Sequence, residues 1–162
     1  SGEVAINFDE KSARFTLSNF VLTCRLIEGN YPNYNSVIPQ NSPNMLTIDR
    51  ALFVNVLRRV SVFSDQALGL IELAFDDRHM VVSTQNIDYS ISATETVDCN
   101  YAGTPFTSGF NAPKLIEVVN TIQSDEVTVS LSDASRAGVI CPLENEENEE
   151  LLMLLMPMLL NK

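Results

Sequence analysis

Positive charge is scarce in this sequence. Its 162 residues carry 10 Lys and Arg against 21 Asp and Glu, a formal net charge of −11, which excludes blanket electrostatic attraction to nucleic acid or to an anionic membrane. The imbalance is uneven, because Glu144, Glu146, Glu147, Glu149 and Glu150 put five negative charges into one short run, read as a solvated hairpin loop. Any basic surface must be local. Histidine is scarcer still: His79 is the only one, in a polar turn beside Arg78. With no second His or Cys at ligand spacing, neither a metal site nor a Ser-His-Asp arrangement is expected. A Gly-rich phosphate loop is also missing, and no cofactor is expected. The three cysteines, Cys24, Cys99 and Cys141, are odd in number and form no C-x-x-C pattern. They lie in strand-like runs and read as buried free thiols in a reducing cytosol. The most apolar run, residues 151–160, is interrupted by Pro157, whereas a membrane span needs about 20 apolar residues. No signal-peptide pattern or N-x-S/T acceptor is present. The cytoplasm is the expected location, without a membrane partner.

What is there is globular: 45% of residues are hydrophobic and 19% charged. Residues 4–8 alternate, Asp9-Glu10-Lys11-Ser12 reads as a polar turn, residues 13–17 alternate again, and residues 20–27 make a third strand. Turn formers then accumulate through residues 28–44, where a domain boundary is expected. A short strand at 45–48 meets Asp49, an N-cap for a helix reaching about residue 64. Leu52, Val56 and Val60, joined by Phe53, Leu57 and Phe63, give that helix an apolar stripe, while Ala51, Asn55, Arg58, Arg59 and Val62 point elsewhere. Strands follow at 68–75, 80–84 and 89–97, with Asp76-Asp77-Arg78-His79 as a turn.

The same order then returns. A strand at 105–110 leads to Asn111, a second N-cap, with Pro113 in the first turn, where its missing N–H costs nothing. This helix runs to about residue 123 and buries Leu115, Val119 and Ile122. Strands follow at 126–131, 137–141 and 151–158. The helices begin near Asp49 and Asn111, 62 residues apart, so the chain reads as strand–helix–three strands, twice over. One βαβββ unit cannot bury both its helix and its sheet face, but two side by side can pack both helices on one face of a continuous sheet. The fold class is therefore α+β. The first forty residues look like the tail of another such unit, and the chain like a piece of a longer one. Domains are placed at 1–40, incomplete, and 41–162.

At this point the local words resemble a family. Cys24-Arg25-Leu26-Ile27-Glu28-Gly29-Asn30-Tyr31-Pro32-Asn33-Tyr34 is similar to the connector between the second and third domains of the bacterial sliding clamps, the beta subunits of DNA polymerase III. Gly109-Phe110-Asn111 resembles the strand-to-helix junction of their third domain, and Leu154-Leu155-Met156-Pro157-Met158 their C-terminal signature. The resemblance implies the DNA-clamp fold: tandem βαβββ repeats with two helices on one face of antiparallel sheets. It also implies a non-catalytic processivity factor, a homodimeric ring around duplex DNA that tethers the polymerase III alpha subunit, the clamp loader and other proteins bearing a clamp-binding motif. The ring would grip DNA without reading its sequence.

Three surfaces follow from the resemblance. Arg50, Arg58 and Arg59 on the first helix and Lys114 on the second are the DNA-facing candidates, against the plain alternative of solvated helix charges. Pro32, Ser36 and Val37 in the connector, with Leu154, Leu155, Met156, Pro157 and Met158, are the peptide-pocket candidates. Within that C-terminal run, Leu152 and Leu154 are read as core and 156–158 as pocket, with Met supplying an adaptable surface. Ser36 and Leu159 stand where the family commonly has a basic residue, which implies weaker polar contacts to a peptide. Val62, Phe63 and Glu95 are the subunit-interface candidates. Two other readings compete: a clamp-fold peptide-binding adaptor that never encircles DNA, and a small acidic hydrolase using Asp76 and Asp77. The hydrolase lacks a catalytic constellation, since Asp at a hairpin turn serves turn geometry.

Overall fold

A computed structural model describes residues 3–160. The chain divides into two compact units, Ser1–Tyr34 and Asn35–Lys162. In the first, β1 (Ala5–Phe8), β2 (Ser12–Thr16) and β3 (Val21–Arg25) form an antiparallel sheet in that order. Asp9 builds the first turn: its carboxylate accepts from the backbone N–H of Lys11 and of Ser12, both at 2.8 Å. These bonds hold its pKa below the ordinary value. The third strand is shorter than expected, and Ile27, placed in it by the sequence pattern, is 97% exposed. None of the three strands has a buried side chain, so this sheet has no core of its own.

The second unit begins with β4 (Asn44–Asp49) and α1 (Arg50–Ser61). Then come β5 (Leu70–Asp76), β6 (His79–Asn86), β7 (Ile91–Asp98) and β8 (Asn100–Ala102). The second repeat supplies β9 (Phe106–Asn111), α2 (Ala112–Thr121), β10 (Glu126–Leu131), β11 (Gly138–Pro142) and β12 (Met153–Leu155). The repeat is therefore present, with β8 as an addition. Both caps form as the sequence requires. Asp49 accepts from the Leu52 N–H at 2.6 Å and Asn111 from the Lys114 N–H at 3.0 Å.

The repeats are joined by exchange of their first strands. β4 pairs with β10 of the second repeat, Asp49 opposite Glu126, and β9 pairs with β5 of the first, Asn111 opposite Leu70. The first N–H of each helix is tied in the same way: Arg50 N donates to Asp125 O and Ala112 N to Gly69 O, each at 2.8 Å. The result is two sheets, β12-β11-β10-β4-β8 and β7-β6-β5-β9, rather than the one continuous sheet expected. Their join is a single antiparallel bridge between Gly109 and Met158. Pro157, which lacks an N–H, separates that bridge from β12.

α1 and α2 pack on each other, α1 against β4–β7 and α2 against β9 and β12. Most of the expected apolar stripe of α1 is buried, but Leu52 and Phe63 fall outside it and Val54 joins it. Phe53, Val54, Val56, Leu57 and Val60 are buried, whereas Leu52 is 39% and Phe63 41% exposed. In the C-terminal run the phase is reversed: Leu151, Met153 and Leu155 pack against the core, and Leu152 and Leu154 do not. The cysteines are not buried as expected. Cys24 is exposed, and Cys99 and Cys141 are half-buried. Burial pushes the Cys99 and Cys141 thiols up, aided by the charges of Asp98 and Glu150, so neither is a ready thiolate.

The edge of the stripe is testable by denaturant unfolding. Phe53→Ala, at a fully buried position, is expected to cost about 3–5 kcal/mol. Leu52→Ala, on the open side of the same turn, is expected to stay below about 1 kcal/mol.

Candidate functional site

The exposed side of α1 carries Ala51, Asn55, Arg58 and Arg59, and that of α2 carries Lys114 and Glu117. The two helices pack on each other, and these polar residues lie on their exposed sides. Their cations are not equivalent. Arg58 and Arg59 lie in the last turn of α1, where positive charge also complements the open carbonyls of the helix end. Arg59 is held by Glu95 of β7 through two bonds, Nε to Oε2 at 3.0 Å and Nη2 to Oε1 at 2.5 Å. Arg50 is part-buried, and its Nε–H donates to the Ser124 carbonyl at 3.0 Å.

β7 is an outer strand of its sheet, paired only with β6. Its free edge leaves backbone donors and acceptors open to another chain. Glu95 lies on this strand opposite Val82, and its side chain is already engaged by Arg59. That bond, more than Coulombic attraction, holds the Glu95 carboxyl below its ordinary value of 4.5 against the opposing effect of desolvation. Beyond the end of α1, Val62 is 75% and Phe63 41% exposed. The placement of Phe63 is therefore not that of a core side chain.

The C-terminal segment is anchored along its backbone. β12 pairs with β11, Gly138 opposite Leu155, and the Met158 N–H donates to Gly109 O at 2.8 Å. Between these anchors Met156 is 61% exposed, while Pro157 and Met158 are half-buried. A Cβ at Gly109 would lie 2.9 Å from Met158 O and 2.8 Å from Leu160 Cδ2, so the absence of a side chain there permits the close approach. Ser36 ends a 3₁₀ turn, Tyr34–Ser36, and Val37 is exposed. Pro32 lies in the other compact unit and is exposed too.

The residues considered for catalysis are separated or occupied otherwise. Asp76 and Asp77 flank the β5–β6 turn, where Asp76 Oδ1 accepts from the Asp77 N–H at 2.9 Å. His79 Nε2 stands 3.4 Å from Asp98 Oδ1, both side chains largely open to solvent. Asp133 caps its own turn, and the Ser135 hydroxyl and backbone bonds lower its pKa. Among the described residues, no group of three or more His, Cys, Asp or Glu side chains converges. The Arg59–Glu95 pair escaped the sequence reading, for partners 36 residues apart leave no periodic signal.

Comparison with known proteins places this geometry. The model of the DNA polymerase III beta subunit, C-terminal domain, matches residues 35–159. The beta sliding clamp of Haemophilus influenzae is 29% identical over 145 residues, covering 90% of this chain and 38% of the relative. That of Caulobacter vibrioides is 30% identical over 142 residues, covering 87% and 38%. Among solved structures, a Pseudomonas aeruginosa sliding clamp bound to griselimycin superposes with a TM-score of 0.89 at 26% identity, covering 98% of this chain and 42% of that one. A Bartonella birtlesii clamp, also bound to griselimycin, gives 0.87 at 30% identity, covering 97% and 41%. The chain thus spans about two fifths of the length of these relatives.

Two outcomes follow from the site geometry. Because the folded pKa of Glu95 is lowered, the unfolded chain takes up the proton first as pH falls. The stability that the Glu95 pair contributes is thus present above the unfolded value and is lost as pH falls through the folded one. The difference in melting temperature between the parent and Glu95→Gln should be small at pH 7, since an exposed pair contributes little, and should vanish once the pH drops well below 4.5. Separately, Gly109→Ala should dislodge the C-terminal bridge. Amide hydrogen exchange at Met158 would then accelerate strongly while exchange in β10 stays protected.

Proposed function

Because the chain belongs to the family of the DNA polymerase III beta subunit's C-terminal domain, we propose that it serves as part of a sliding clamp, a processivity factor that encircles duplex DNA. Residues 1–40 are read as the closing strands of one clamp domain with its connector, and residues 41–162 as the next domain. The observation that carries this reading is the pair of capped helices packed side by side, with their polar faces left open on the side away from the core.

In this reading Arg50, Arg58, Arg59 and Lys114 are the cations of the DNA-facing side. Few cations on a strongly acidic chain suit a ring that must slide rather than hold, since every phosphate contact adds affinity without sequence information. Val62, Phe63 and Glu95, at the end of α1 and on the open strand β7, form this chain's side of a homodimer interface. Ser36, Val37, Leu154, Leu155, Met156, Pro157 and Met158 contribute to a groove for linear peptides of the polymerase alpha subunit, the clamp loader and other partners. Anchored apolar side chains beside a soft methionine suit several such peptides. The groove is also the natural place to test for griselimycin, with which related clamps have been crystallised. The protein itself carries out no reaction, and it works in the cytoplasm.

The engagement of Arg59 and Arg50 within the chain favours one alternative enough to test it: a clamp-fold adaptor that binds peptides and never encircles DNA. Loading the full-length protein onto closed circular DNA with a clamp loader separates the two. A ring is expected to stay on the circle in moderate salt and to run off within seconds of linearisation. Equal retention on circular and linear DNA, or none on either, would reject encirclement.

A further inference from the structure

We propose that Glu95 is a grip-setting residue: by holding the Arg59 guanidinium from β7, it removes one cation from the helix surface that would otherwise meet a phosphate. The inference rests on the reading that this surface faces duplex DNA, and it goes beyond that reading by assigning unequal roles to the two neighbouring arginines.

The geometry is specific. Both guanidinium–carboxylate bonds are made, Nε to Oε2 at 3.0 Å and Nη2 to Oε1 at 2.5 Å. A planar fork of this kind matches a phosphate as well as it matches a carboxylate. Arg59 is 56% exposed and Glu95 33% exposed, so the pair lies at the surface, where a phosphate could reach the arginine. Arg58, one residue earlier, makes no ion pair among those found in the described residues. The other positive group of α1, Arg50, is turned to the Ser124 carbonyl. The lining thus has a free cation, a tied cation and a paired cation on one helix. Glu95 sits on a different element from all three, so its removal leaves the helix sequence intact; because it also belongs to the proposed homodimer interface, the dimeric state of every variant is checked by sedimentation beside the binding.

An exposed ion pair contributes little net stability, which makes Arg59 readily releasable. The consequence is a DNA grip lower than the arginine count suggests. Removing the carboxylate should return one phosphate contact, and each contact steepens the fall of log K with log salt by about 0.9.

The test is the salt dependence of binding of the full-length protein to a short fluorescent duplex, read by anisotropy. Four variants are compared with the parent: Glu95→Gln, Arg58→Ala, the double variant Glu95→Gln/Arg59→Ala, and Glu147→Gln. The last makes the same charge change in the acidic run 144–150, on neither α1 nor β7. Glu95→Gln is expected to steepen the slope by about 0.9, with Glu147→Gln leaving it at the parent value. In the double variant the gain should disappear. Arg58→Ala should flatten the slope by a similar amount. If Arg58→Ala flattens the slope and Glu95→Gln does not steepen it, the helices face DNA but Glu95 does not set the grip. If Glu95→Gln and Glu147→Gln steepen it equally, the effect is net charge and the proposal fails. If no variant moves the slope, the surface does not meet phosphates, and the underlying reading falls with the proposal.

Discussion

The structure depends on a strand exchange. β4 belongs to the first repeat by sequence but pairs with β10 of the second, and β9 belongs to the second but pairs with β5 of the first. Neither repeat can complete its hydrogen bonding without the other, so both fold as one body. The exchange also sets the helices. Each cap residue, Asp49 or Asn111, is the last residue of an exchanged strand. The chain therefore turns from a fixed ladder directly into a helix, and the first helical N–H is tied to a carbonyl just ahead of the strand it has joined. With both starts fixed in equivalent ways, α1 and α2 come to lie against each other. Their packing follows from sheet pairing rather than from any attraction between their surface charges.

Charge on the helix surfaces is handled sparingly. A chain of net charge −11 cannot rely on its overall field to attract DNA, so any attraction must come from a few cations at short range. The screening length at physiological salt is about 8 Å, which confines such contacts to close approach. Within that limit, each arginine on α1 has a different local environment, and only position in three dimensions distinguishes them. Arg58 and Arg59 are neighbours in sequence, yet one is held by a carboxylate from β7 and the other is not.

Much of this fold was legible in the sequence, and the misses share a cause. Asp49, Asn111 and Pro113 mark helix starts through local chemistry, which does not depend on distant partners, and both helices begin there. The phase of the α1 stripe was not fixed locally, because Leu52 and Phe53 are both apolar and adjacent turns allow two overlapping stripes. Packing against the sheet kept Phe53, which the sequence reading also placed inside, and left Leu52 half out. In residues 151–158 nearly every side chain is apolar, so alternation carries no information. Pairing of β12 with β11 set the phase that turns Leu151, Met153 and Leu155 inward. β8 escaped notice because it is only three residues long and follows β7 after a single residue, where the chain passes from one sheet to the other. Of the site, the residue types on the helices were visible, but the Arg59–Glu95 pair and the anchoring of Met158 to Gly109 arise only from tertiary register.

That anchoring bears on how an exposed methionine could serve a partner. Met156 lies between two backbone constraints, the β11–β12 ladder before it and the Gly109–Met158 bridge after it, while its own side chain remains 61% exposed. Pro157 further restricts the backbone between them. A peptide that covers Met156 therefore orders one flexible side chain and little main chain, which keeps the entropic cost of association low. The thioether can still adjust to different anchors. For the proposed peptide groove, a rigid backbone carrying an adaptable side chain would reconcile two demands, that the groove be formed before a partner arrives and that it accept more than one.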